Sequence, residues 1–102
     1  MKIEWAEPAI VDLESIRDYI KKDSDYYAIR FVERIIEAVE NLVRFPKRGR
    51  IVPEAGEDNI REILFYNYRI IYRLETERIL ILTVIHGARD LSRKRPKPWD
   101  VI

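Results

Sequence analysis

Ile60-Arg61-Glu62-Ile63-Leu64-Phe65-Tyr66, Tyr68-Arg69-Ile70-Ile71-Tyr72-Arg73-Leu74-Glu75 and Arg78-Ile79-Leu80-Ile81-Leu82-Thr83-Val84-Ile85-His86 decide the fold. Branched and aromatic residues crowd all three runs, and tight turns at Tyr66-Asn67 and Thr76-Glu77 separate them, which predicts three antiparallel strands joined by hairpins. In the middle run Arg69 and Arg73 alternate with Tyr68, Ile70 and Tyr72, so one face is basic and the other apolar. An arginine inside a strand calls for a carboxylate partner or an external anion. The last run is nearly all apolar, as expected of a central strand.

Working outward, Ile3 and Trp5 share one side of a short N-terminal strand, and Pro8 sits where a first helical turn tolerates it. Ile10, Leu13, Ile16 and Ile20 recur at helical spacing, with Asp12, Glu14, Arg17 and Asp18 on the opposite face, predicting a helix over 8–22. Asp23-Ser24-Asp25 can cap a second helix whose inner stripe is Ala28, Phe31, Ile35, Ala38, Val39 and Leu42, ending before Phe45-Pro46. Pro46, Gly49, Pro53 and Gly56 punctuate 46–59, which reads as an exposed basic loop. The expected architecture is α+β, β-α-α-β-β-β: a small antiparallel sheet packed on an N-terminal helical hairpin, in a single domain over 1–102.

Nineteen basic and eighteen acidic residues nearly cancel, so net charge argues for no nucleic-acid or membrane partner. The charges are unevenly placed. Residues 1–43 carry six Lys/Arg against ten Asp/Glu, and 44–102 carry thirteen against eight. Either the basic half meets a polyanion or acidic partner, or the two halves attract each other within the fold. The chain has no cysteine and one histidine, which excludes disulfides, thiolate metal sites and most imidazole metal sites. No cofactor is expected. The longest apolar run, Ile79–Leu82, is far shorter than a membrane span, so a cytoplasmic protein is expected.

With two-residue turns, Leu64 pairs with Arg69, Glu62 with Ile71, Arg73 with Leu80 and Arg69 with Val84. One face then carries Glu62, Leu64, Arg69, Ile71, Arg73, Leu82, Val84 and His86, turned away from the helices unless a bulge intervenes. Glu62 and His86 would lie roughly 16 Å apart along and across the strands, too far for concerted acid–base work on one leaving group. Arg69 and Glu62 can equally form a surface ion pair, and His86 can be satisfied by a local hydrogen bond. Arg61 falls on the helix side at the sheet edge, suited to a helix carboxylate. Arg89, Arg93, Lys94, Arg95 and Lys97 extend the positive zone past the last strand, and Arg44, Lys47, Arg48 and Arg50 form another near the loop. Such clusters suit phosphate or carboxylate recognition, or are simply solvated. Tyr66 and Trp99 are stacking candidates, Trp99 with folding back onto apolar surface as its alternative.

Trp5 with the helix start after it, Asp12-Leu13-Glu14-Ser15-Ile16 through Tyr19-Ile20, Phe45-Pro46 to Gly49-Arg50, Pro53-Glu54, Arg61-Glu62-Ile63, Tyr68 to Arg73 and His86-Gly87-Ala88-Arg89 together resemble the RelE/ParE toxin superfamily, of plasmid stabilisation type. The resemblance covers nearly the whole chain and is closer to ParE-like members. It implies the toxin of a toxin–antitoxin pair, with a cognate antitoxin laying an acidic amphipathic segment across the basic face and helical hairpin, and no small-molecule substrate. RelE-type members cut messenger RNA on the ribosome. On their pattern Arg69 and Arg89 would hold the scissile phosphate, the strand lysines fall on Ile60 and Glu62, and the terminal tyrosine falls within Arg93 to Lys97. His86 and Glu62 would then have to serve as acid and base. ParE-type members poison DNA gyrase without cutting RNA, and for them Arg69, Arg73, Arg89, Arg93 and Arg95 are the candidate target- or antitoxin-binding residues. A non-toxic remnant that keeps antitoxin binding is the third reading.

Overall fold

Alternating apolar residues at Ile3 and Trp5 build β1 (Lys2–Trp5), and Pro8 opens α1 (Glu7–Lys21) in its first turn. The Ser24 hydroxyl accepts from the Tyr27 backbone N–H at 3.2 Å and so starts α2 (Asp25–Glu40). A 3-10 turn at Asn41–Val43 ends the helical hairpin. Then come β2 (Arg50–Ile51), β3 (Ile60–Phe65), β4 (Tyr68–Leu74) and β5 (Arg78–His86). The computed structural model describes residues 1–91 and 96–100.

The α+β architecture and the β-α-α-β-β-β order stand, with two differences in the sheet. The strand order is β1-β5-β4-β3-β2, and β1 runs parallel to β5 through Lys2↔Arg78 to Trp5↔Ile81, so the five-stranded sheet is mixed. β1 is joined to β5 only through both helices and three further strands, so hairpin reasoning on the last three strands does not reach this pairing. The second difference is β2. The expected exposed loop contains an edge strand pairing Arg50 with Glu62 and Ile51 with Arg61, and Val52 beside it is fully buried.

Both hairpin turns have the expected two-residue loops: Phe65 pairs with Tyr68, and Glu75 N–H donates to the Arg78 carbonyl at 2.9 Å. Tyr66 takes a left-handed backbone, φ 51°. Leu64↔Arg69, Glu62↔Ile71 and Arg73↔Leu80 match the expected register, whereas Arg69 faces Ile85 and not Val84. The register shift lies opposite Ile71/Tyr72, where Tyr72 pairs with Ile81 and Ile71 with Thr83, leaving Leu82 as the extra residue. Beyond this bulge Val84 joins the core beneath the helices and Ile85 the opposite one.

Asp12 fixes the bulge. Its carboxylate accepts from the Thr83 hydroxyl and from the Val84 N–H at 2.9 Å. The expectation that Asp12 lies on the polar face of α1 is therefore corrected, as is that of Ile10 on its inner face. Ala9 is fully buried and Ile10 is exposed, which rotates the inward stripe to Ala9, Asp12, Leu13, Ile16 and Ile20.

The sheet is covered on both faces. Ala9, Ile16, Ile35, Val39 and Leu42 pack on Ile70, Tyr72, Ile79, Ile81 and Val84 beneath the helices. On the other face Ile60, Ile71, Leu80, Leu82 and Ile85 form a second core closed by Val52, Ala55, Leu91 and Trp99. Full burial of an Ile or Leu side chain contributes about 2–3 kcal/mol, so this second layer is a substantial share of a small domain's stability. Trp99 folds back on apolar surface, and among the described residues this face of the sheet is covered by the second core.

Candidate functional site

Arg69 lies on β4, the central strand of the five, close to the β3–β4 turn, and its side chain is only 9% exposed. Its Nε donates to Glu62 Oε1 at 2.6 Å. Its Nη1 and Nη2 donate in a fork to Glu54 Oε2 and Oε1 at 3.1 and 3.0 Å. Glu62, whose side chain is fully buried, accepts a second charged bond on Oε2 from Arg50 Nε of β2. Two arginines and two carboxylates thus close a network over the second core. The surface pair expected of Arg69 and Glu62 is corrected to a buried one, because the 50–56 segment folds over the sheet and carries Glu54 onto the guanidinium.

The fork to Glu54, and then the bond to Glu62, raise the Arg69 pKa above the ordinary arginine value. The same fork holds the Glu54 carboxyl below the usual glutamate range. Both groups are therefore charged at neutral pH. Removing either leaves a desolvated charge.

Arg61 does not meet a helix carboxylate. Its Nη1 donates to the Gly49 and Lys47 carbonyls at 2.9 and 3.4 Å, while its buried Nε has no hydrogen-bond partner among the described residues. The same segment is tied down by Tyr72, whose hydroxyl donates to the Pro46 carbonyl at 2.7 Å and accepts from Gly49 N–H at 3.1 Å. Gly49 is required for this close approach: a Cβ there would stand 2.5 Å from Tyr72 Oη and 2.7 Å from the Glu62 carbonyl.

His86 does not share the Arg69 face. The bulge turns it to the helix side, where it pairs with Tyr68 on β4 and meets its ring edge-on at 5.8 Å between centroids. His86 Nδ1 accepts from Ala88 N–H at 3.2 Å. Arg73 is spent on Glu75 at 2.8 Å. Arg89 is exposed, its backbone N–H bonded to the His86 carbonyl, and its side chain has no partner among the described residues. The positions of Arg93 and Arg95 lie outside the described residues.

What the structure does bring together is a groove of about 410 Å³ at the end of the sheet, lined by Arg50, Leu64, Tyr66, Tyr68, Arg69 and His86. Tyr66 projects from the β3–β4 turn, 70% exposed. Glu62 lines none of it. Sequence reading missed Glu54 as the partner of Arg69 and Asp12 as the bulge anchor. Two internal strand arginines near one carboxylate were the available signal for a missing second acid.

Comparison with known proteins places the chain in a family. A family model described as the ParE toxin of type II toxin–antitoxin system, parDE, matches residues 3–91. Toxin RelE2 of Caulobacter vibrioides is 32% identical over 89 residues, covering 86% of this chain and 97% of that protein. The putative toxin Y4kP of Sinorhizobium fredii is 36% identical over 88 residues, covering 84% and 88%. The fold superposes on a chain of the chromosomal ParDE toxin–antitoxin system of P. aeruginosa with a TM-score of 0.71 at 24% identity, covering 84% of this chain and 95% of that one. A chain of the RelBE2 toxin–antitoxin complex of Mycobacterium tuberculosis superposes with a TM-score of 0.62 at 22% identity, covering 83% and 95%. The chain belongs to the ParE toxin family of type II toxin–antitoxin systems.

Proposed function

We propose that this toxin arrests growth by binding DNA gyrase and not by cutting messenger RNA. The observation that carries the reading is the state of Arg69. On the messenger-cutting pattern this arginine holds the scissile phosphate, yet here its fork is closed by Glu54 and its Nε by buried Glu62. A phosphate must displace Glu54 and then sit beside the Glu62 carboxylate. Like charges about 4 Å apart at an effective dielectric of about 20 repel by about 4 kcal/mol, roughly a thousandfold in affinity. Glu62 is further occupied by Arg50 and lines none of the groove that Arg69 shares with His86, and His86 Nδ1 is engaged by Ala88 N–H, so acid, base and phosphate clamp do not converge as free groups.

For target binding the free groups matter more. The exposed Tyr66 lines the sheet-end groove and exposed Arg89 follows Ala88 of its lining in the chain, and we assign target contact there. A cognate antitoxin is the other partner. With the basic face closed, the apolar outer surface of the helical hairpin, including Val11, Tyr19, Tyr27 and Ile29, is the better seat for an amphipathic antitoxin segment.

The deciding experiment induces the protein in a sensitive host without antitoxin and maps messenger RNA ends alongside the DNA-damage response. Intact messages with DNA breaks are expected. New ends inside translated codons would overturn the reading in favour of a ribosome-dependent endoribonuclease, and unaffected growth would make the chain a non-toxic antitoxin-binding remnant.

A further inference from the structure

Phe45 follows the helical hairpin and is 66% exposed, although Leu42 three residues before it is fully buried. It does not stand alone. Phe45, Pro46, Leu74 and Met1, itself 52% exposed, line a groove of about 700 Å³ at the β4–β5 turn end of the sheet, larger than the groove beside Arg69. A space of that size takes one bulky side chain together with the backbone around it.

The charges around the groove are one-sided. Arg44, Lys47 and Arg48 line it, and none has a carboxylate within ion-pair distance among the described residues. The acid on the rim, Glu75, is neutralised by Arg73 at 2.8 Å and Arg78 at 2.6 Å. The groove therefore sits in a positive field that nothing within it answers. Its wall is also held in place: the Pro46 carbonyl takes the Tyr72 hydroxyl, and the Lys47 and Gly49 carbonyls take Arg61. A wall fixed from below loses little freedom when something docks on it.

We propose that this groove is a docking site for an acidic peptide segment of a partner protein, which inserts one bulky apolar side chain between Phe45 and Leu74 and lays carboxylates against Arg44, Lys47 and Arg48. The apolar lining favours this occupant over a nucleic acid, whose bases need polar edges or several stacking rings and would find a single ring, Phe45. The site lies apart from Arg69 and does not depend on the gyrase reading.

The test is selection of a displayed library of random twelve-residue peptides on the wild-type protein, then affinity measurement for the synthesised winners. The expected consensus is a Phe, Trp or Leu flanked by Asp and Glu. Its affinity is expected to fall at least tenfold in Phe45→Glu and in the Arg44→Glu/Arg48→Glu double variant, and to weaken as salt rises from 50 to 500 mM. Tyr66→Ala, at the other end of the sheet, is expected to leave it unchanged. All these positions are exposed, so each variant is expected to fold, with circular dichroism as the check. No enrichment, a basic or wholly polar consensus, or binding that survives both groove variants overturns the proposal. Tight binding of a labelled single-stranded oligonucleotide that the same variants abolish would assign the groove to nucleic acid instead.

Discussion

Replacing Arg69 by alanine removes one guanidinium that answers two carboxylates. Glu62 loses its 2.6 Å partner while fully buried, and Glu54 loses both of its bonds. Breaking a buried ion pair from one side costs about 3–5 kcal/mol, because the remaining charge stays desolvated. Arg50 still holds Glu62 Oε2, and the Glu54 side chain is a third exposed and can turn to water, so the low end, about 3 kcal/mol, applies here. For a domain of this size that lowers Tm by roughly 12–24 °C. The double replacement Arg69→Met/Glu62→Leu removes both charges together and is expected to recover at least half of the loss, since apolar groups of similar volume often substitute for a buried pair without cost. Thermal unfolding followed by circular dichroism at pH 7 reads both. If Arg69→Ala melted within about 4 °C of wild type, the network would not be holding the 50–56 segment on the sheet. If the double variant were no better than the single one, the unpaired Glu62 charge would not be the cause. A fall in toxicity of Arg69→Ala counts as loss of target contact only if the protein remains folded at the assay temperature.

Gly49→Ala drives a methyl group against Tyr72 Oη and the Glu62 carbonyl, and with backbone on one side unable to yield it is expected to cost about 2–3 kcal/mol in urea unfolding; an unchanged midpoint would deny the close approach. Asp12→Ala strips the bulge of both its acceptor bonds and is expected to cost about 2 kcal/mol, whereas Asp12→Asn, which keeps a carbonyl oxygen, costs less; equal losses would show that the hydrogen bond to Val84 N–H is not what fixes the bulge. Glu54, held below the ordinary value of 4.5 by Arg69, contributes stability that is fully present above about pH 4.5 and is lost as pH falls through its lower folded-state value. Glu54→Gln should therefore narrow the gap in Tm between pH 7 and pH 3, and an identical gap in both proteins would refute the coupling.

Elements built on local pattern were legible in the sequence. The two helices, the Ser24 cap region and both hairpin turns follow from periodicity and turn chemistry, and three of the four stated strand pairings hold. What was hidden depends on contacts between distant segments. Leu82 looks like any other member of an apolar strand, and only Asp12, seventy residues away, makes a bulge there favourable. That single extra residue exchanged the faces of Val84, Ile85 and His86 and left His86 to meet Arg69 only in the groove at the end of the sheet. Glu54 was equally unreadable, since a glutamate between Pro53 and Gly56 has no periodic neighbours to assign it a direction. Alternation correctly put Arg69 and Glu62 on one face. It could not say that the face is roofed.

That roof explains how one strand position can serve two purposes within a shared fold. A lysine at position 62, as in the messenger-cutting pattern, would set a second cation beside the Arg69 guanidinium, and two neighbouring cations are stable only with an anion between them. A substrate phosphate can supply it. Glutamate at the same position supplies that anion from within the chain, and Glu54 then closes the remaining edge of the fork. The arginine keeps its place on the strand and its planar geometry while its charge is used to bind the 50–56 segment to the second core. With that charge consumed, the interactions proposed above fall to groups without an ion-pair partner among the described residues: Arg89 and Tyr66 toward one end of the sheet, and Arg44, Lys47 and Arg48 around an apolar groove at the other. On the proposed reading the two ends of the sheet meet partners, while the Arg69 network on its central strands holds the fold together.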